Sequence, residues 1–231
     1  MQMYGAHKVG AACAIAGAGL LFFGTFLHPM HADPNDSVAA FAEYAADRLW
    51  IASHLMQLAG VASMVVALLL LAQQLELRRR SDVTRIAAAG AIASLALAAA
   101  LQAVDGIALK TMVDAWAEAP APQKESAFRA AFAVRQIEVG LASMFCLSIG
   151  MTAAVFGVAL LSDGFYPKWF SGLAIVGGLP TAAAGIVIAY TGFSGLAMAV
   201  NMPANFLLLL WMLVLGWFMW AKERSPDQSE V

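Results

Sequence analysis

Charge is what this sequence has least of. Only 12% of its 231 residues are Asp, Glu, Lys or Arg, about half the share found in a soluble domain. Such a chain has too little polar surface to cover itself in water, and a bilayer removes that demand. Hydrophobic residues make up 61% of it. The net charge of -2 leaves no basic footprint, which argues against a nucleic-acid partner. Cysteine is nearly absent. Cys13 and Cys146 both fall in apolar stretches, so a disulfide framework is not indicated and both read as small buried hydrophobes. The glycines form no phosphate-binding loop, and there is no nucleophile elbow.

What is present is a succession of long apolar runs. The first covers residues 9–27, and its Gly17, Gly19 and Gly24 among alanines make a small-residue surface suited to close helix packing in lipid. It resembles a signal peptide only superficially, because a small-x-small cleavage site is lacking where Met30 precedes Ala32. Residues 28–36 contain two prolines among turn formers and cannot be regular structure. With Ser37 or Asp36 as N-cap, a second helix is expected to run without a breaker from residue 38 to the arginines at 78–80. A third is expected from Arg85 to the Pro120–Pro122 turn, and a fourth from about residue 123 to 161. The fifth covers 169–190 with Pro180 inside it, and the sixth 203–220. The fold class is therefore all-α: a polytopic membrane bundle of six helices, one domain over residues 1–224 with a short tail at 225–231.

The fourth helix, at more than thirty residues, would be about 50 Å long, whereas a bilayer core is only about 30 Å thick. Helices two to four should therefore protrude on one side as a cap. Six spans put Lys8, Arg78, Arg79, Arg80, Arg85, Lys168, Lys222 and Arg224 on one face. Arg48, Lys110, Lys124, Arg129 and Arg135 fall on the other. The excess of positive charge makes the first face cytoplasmic, with both termini inside and the cap extracytoplasmic. Phe165, Tyr166, Trp169, Trp217 and Trp220 suit an aromatic belt at the interface.

The stretch Leu160-Leu-Ser-Asp-Gly-Phe-Tyr-Pro-Lys-Trp-Phe-Ser-Gly-Leu-Ala174 resembles a recurrent pattern of the DUF4386-type proteins. There a helix ends in a glycine-aromatic-Pro-basic turn and re-enters as a Gly-Leu helix. The resemblance implies a multi-pass protein of the bacterial inner (plasma) membrane. It implies no activity and no catalytic residue.

Polar residues gather in the outer halves of the spans. Glu43, Asp47, Trp50, His54 and Gln57 are three and four apart and would share one helical face. Arg135 lies on the same face as Phe128, Phe132 and Val139, so it is expected to enter the bundle, where a lone charge is expensive. Glu138 and Asp105 are its candidate partners, and Asp105 is the favoured one. Together with Gln102 these residues suggest an outward-opening polar pocket between the second, third and fourth helices. His28, His31 and His54 offer imidazoles to zinc or copper on the same side, though their spacing matches no established metal signature.

The leading functional expectation is a membrane protein that binds or moves a small or amphiphilic molecule through that pocket. An alternative is a metal-dependent membrane enzyme using Glu43, Asp47, His54 and Glu138. A third is a structural subunit, since Gly/Ala faces on the first and third helices suit a homo-oligomer or a larger membrane complex.

Overall fold

Apolar runs bounded by turn formers become helices throughout. The computed structural model describes residues 2–222, so the tail at 225–231 and Arg224 lie outside the described residues. Among the described residues eight α-helices occur, in the order α1 Gln2–Phe26, α2 Ser37–Ala46, α3 Trp50–Arg78, α4 Asp82–Gln102, α5 Lys110–Glu118, α6 Lys124–Asp163, α7 Lys168–Thr191 and α8 Gly195–Lys222. No strand occurs among the described residues. A π-helical turn, Ala103–Leu109, joins α4 to α5. Among the described residues six helical segments are long and apolar enough to cross a membrane: His7–Phe26, Trp50–Arg78, Asp82–Glu118, Ala121–Asp163, Lys168–Thr191 and Gly195–Ala221.

These six pack as a closed ring, each against its two neighbours in the order α1, α3, α4, α6, α7, α8 and back to α1. Small residues set the closest approaches. A Cβ on Gly60 of α3 would come within 2.6 Å of the Leu21 backbone nitrogen on α1. One on Gly150 of α6 would come within 2.4 Å of the Ala182 nitrogen on α7. In lipid, where no hydrophobic drive pushes helices together, such close backbone packing holds them.

The 40 residues of α6 amount to about 60 Å at 1.5 Å rise per residue, twice the thickness of a bilayer core. Its first turns, with α2 and α5, form a cap holding a separate core of Phe41, Tyr44, Trp50, Leu109 and Val113, with Trp116 and Phe128 packed on it. At the opposite end Arg78 pairs with Asp163 at 3.1 Å and lies 4.2 Å over the Phe165 ring. Phe165, Trp169, Trp217 and Trp220 are exposed there, whereas Tyr166 is buried and leaves the expected belt.

Three departures from the expected helices matter. The expected second helix is two. Asp47 takes an extended conformation at the end of α2, and its carboxylate accepts the Leu49 N–H at 2.8 Å, a local bond that competes with the helical ladder. Lys110 reinforces the break by donating to the Tyr44 and Ala45 carbonyls, both at 3.0 Å. The expected third helix is widened by the π turn. The last helix begins at Gly195, not at residue 203. Ser194 Oγ accepts the Ala197 N–H, and Pro203 is carried inside α8, as membrane helices tolerate.

Candidate functional site

The three irregular segments meet at the cap end. Residues 27–36 turn inward from α1 and are held at several points. Asp36 caps α2 through the Val38 and Ala39 N–H groups. The Glu43 carboxylate accepts the backbone N–H groups of His31 and Ala32, at 3.0 and 2.9 Å. Burial alone would raise its pKa, but these donors and the His31 ring hold it below the usual carboxylate value. Arg135 donates to the Pro34 carbonyl at 3.2 Å. Its guanidinium faces Tyr44 and Phe193, with ring centroids 5.6 and 5.0 Å away.

Arg135 is 6% exposed and so enters the bundle, although Phe132 on the same helical face is largely exposed. Its partner is not the expected Asp105. Glu138, one turn along α6, takes the guanidinium at 2.6 Å. Asp105 is instead engaged by His54, with Nε2 3.1 Å from Oδ2. The reason is geometric. A π turn accommodates an extra residue, rotating the rest of the helix by about 100° relative to a regular α-helix, and Asp105 sits inside it. Gly106 completes the contact, because a Cβ there would lie 2.6 Å from the His54 Cβ.

His54 is 2% exposed. Its Nδ1 lies 2.7 Å from the Trp50 carbonyl, and the Trp50 indole N–H donates to the Asp105 carbonyl at 3.0 Å. His28 comes from the loop to lie tilted against both rings, with centroids 5.0 Å from His54 and 4.7 Å from Trp50. Burial pushes its pKa below the ordinary imidazole value; the adjacent His54 adds to this, while Asp105 opposes it. Burial likewise pushes the Tyr44 phenol, 6.3 Å from His28, up to about 12. Among the described residues, His28, His54 and Asp105 are the cluster with metal-ligand spacing, their donor atoms all within 4.8 Å of one another.

The remaining expected residues are distributed around this point. Gln102 donates to Gln57 at 3.2 Å, bridging α4 and α3. His31 is exposed and bound to Glu43 at 3.1 Å, so it stands apart from the other two histidines. Glu43, Asp47, His54 and Glu138 do not converge, since each is engaged by different partners: loop amides, Leu49, Asp105 and Arg135. Tyr44, Gly106 and Lys110 shape the region without having been singled out. Gly106, the lone glycine beside an acid in an alanine-leucine run, was the available signal.

A cavity of about 470 Å³ lies below the loop, walled by α1, α3, α6 and α8 rather than by α3, α4 and α6. Its lining is apolar and rich in methionine (Met30, Met64, Met198, Met202, Met212), with Thr25, Asn201 and Asn205 as its polar members. Phe22, Phe26, Met202 and Phe206 line it yet remain exposed, so it opens sideways between α1 and α8. A smaller space of about 280 Å³ continues down that seam past Ala18, Gly19 and Leu213.

A family model, the domain of unknown function DUF4386, matches residues 9–216. The chain belongs to this family. The match runs from α1 through most of α8 and so covers the whole ring, the loop and the cap. No curated protein and no solved structure matches the chain. DUF4386 membership and the six apolar helices make it an integral, multi-pass membrane protein.

Proposed function

We propose that this DUF4386 protein binds an amphiphilic molecule in the cavity among α1, α3, α6 and α8, admitted sideways from the surrounding lipid. One observation carries the reading. Asn201 and Asn205, one turn apart on α8, are with Thr25 the polar members of an otherwise apolar wall. Polar side chains within a span are costly and are retained where they meet a polar partner. Here they would hold the ligand's polar group while its apolar part lies along the methionines. These side chains adapt to irregular shapes, and the volume falls in the range of small-molecule sites. The site therefore differs from the polar pocket expected between the second, third and fourth helices.

We also infer that the cap faces outward and both termini inward, in a bacterial inner membrane. The arginines at 78–80 and Arg85 support this through the positive-inside bias.

The test uses cis-parinaric acid, a fluorescent fatty acid, titrated into the protein purified in detergent. Saturable binding is expected, weakened at least ~10-fold by Asn201→Leu with Asn205→Leu, a loss of about 1.4 kcal/mol. Met64→Trp should fill the space and abolish binding. Equal titrations for all three proteins would defeat the reading.

A further inference from the structure

We propose that His28, His54 and Asp105 form a binding site for one divalent transition-metal ion of the zinc class. The argument starts from protons. A carbonyl oxygen only accepts, so the Nδ1 atoms facing Trp50 O at 2.7 Å and Pro29 O at 2.8 Å must carry hydrogens. With the hydrogen on Nδ1, Nε2 is the ring atom left to face a ligand. This is the tautomer in which metal-binding imidazoles are usually held by a carbonyl behind them.

The His54 Nε2 lone pair meets a carboxylate oxygen of Asp105 at 3.1 Å. Two electron-rich atoms in contact repel unless a cation lies between or beside them. The two atoms are not aligned as a hydrogen bond, so Nε2 makes none despite the 3.1 Å approach. The second carboxylate oxygen, Oδ1, is buried without a partner as well. Buried polar atoms left unmatched in this way call for a bound group. An ion to one side of the Nε2–Oδ2 line, touching both and the His28 ring, would satisfy Nε2 and give the Asp105 carboxylate a counter-charge.

The donor set selects the ion. Two imidazoles and a carboxylate suit zinc, leaving a fourth position for water or another ligand. Calcium and magnesium require more oxygen donors, and the cluster contains no sulfur donor to favour copper(I). Zinc bonds of about 2.0–2.2 Å place tetrahedral ligands roughly 3.4 Å apart. Binding would therefore draw together donors now spread over as much as 4.8 Å. Because the donors come from the loop, α3 and the π turn, the ion ties all three.

The experiment adds zinc alone to full-length protein purified in detergent and stripped with EDTA. Calorimetry and elemental analysis should give one zinc per chain, with a higher melting temperature. His28→Gln, His54→Gln and Asp105→Asn should each weaken binding by at least ~100-fold, the upper end of what loss of a group behind a metal ligand costs. His31→Gln should bind like the parent. Should a span variant fail to fold, His28→Gln in the loop and the cobalt spectrum of the parent decide the matter. Cobalt(II) should show the intense visible bands of a four- or five-coordinate site. Zinc uptake well below one per chain, uptake indifferent to His28→Gln, equal loss in His31→Gln, or a weak octahedral cobalt spectrum would each overturn the proposal.

Discussion

Replacing Arg135 by alanine should lower the melting temperature of the purified protein by roughly 6–20 °C, at about 2–4 °C per kcal/mol for a chain of this size. The magnitude comes from the site. The Arg135 and Glu138 side chains are 7% and 3% exposed and meet at 2.6 Å. Removing one partner of such a pair leaves a buried charge uncompensated, at about 3–5 kcal/mol. Loss of the Arg135 hydrogen bond to Pro34 is counted within that figure. Glu138→Gln should be destabilising for the same reason. The double variant Arg135→Met with Glu138→Leu should recover most of the loss, since apolar replacement of a whole buried pair is often neutral or better. Thermal unfolding in detergent, followed by circular dichroism, measures all three. A single-variant shift below about 2 °C, or a double-variant loss equal to the two single losses added, would refute the reasoning.

Gly106→Ala places a methyl 2.6 Å from the His54 Cβ and should displace that ring. Zinc uptake should then fall in calorimetry while helix content by circular dichroism is kept. Gly178→Val should separate α6 from α7, where a Cβ already meets the Gly150 carbonyl at 2.5 Å, and lower the melting temperature by several degrees. With Cys13 and Cys146 replaced by alanine, a cysteine at Ala119 should react with an impermeant maleimide on intact cells and one at Ser81 should not. The opposite pattern would invert the membrane orientation.

The number of spans was legible because burial in lipid imposes a long apolar run on every crossing, and nothing else in the chain produces one. The protruding α6 was legible from the same arithmetic. Backbone irregularity was not. The break at Asp47 turns on one side-chain bond to the Leu49 N–H, while the stripe through Glu43, Asp47 and His54 made an unbroken helix plausible. The π turn is invisible in an alanine-leucine run, and it alone decides which way Asp105 points. With both Asp105 and Glu138 within reach of Arg135, the sequence left the pairing open, and the expected choice was the wrong one. His28 and His54 are twenty-six positions apart, and only the inward fold of the loop makes them neighbours. The cavity was not legible because its walls are ordinary apolar spans, and nothing in their residues distinguishes a lining from a packed face.

Why these irregularities coincide is a physical question. A helix can lose its regular ladder at membrane depth only where protein or a cavity replaces the missing partners. The π turn satisfies this condition by giving the Asp105 carbonyl to the Trp50 indole. The break between α2 and α3 satisfies it through Lys110. The loop satisfies it through Glu43 and Arg135. Each repair uses a residue with no role in a plain six-helix bundle, and all of them lie at the cap end. An uninterrupted α-helix in place of the π turn would be simpler to fold and would leave no carbonyl in need of Trp50. It would also rotate Asp105 away from His54. The irregular backbone and the unmatched polar atoms at His54 and Asp105 are thus one feature, because the turn that departs from the regular ladder is the one that carries Asp105 to His54.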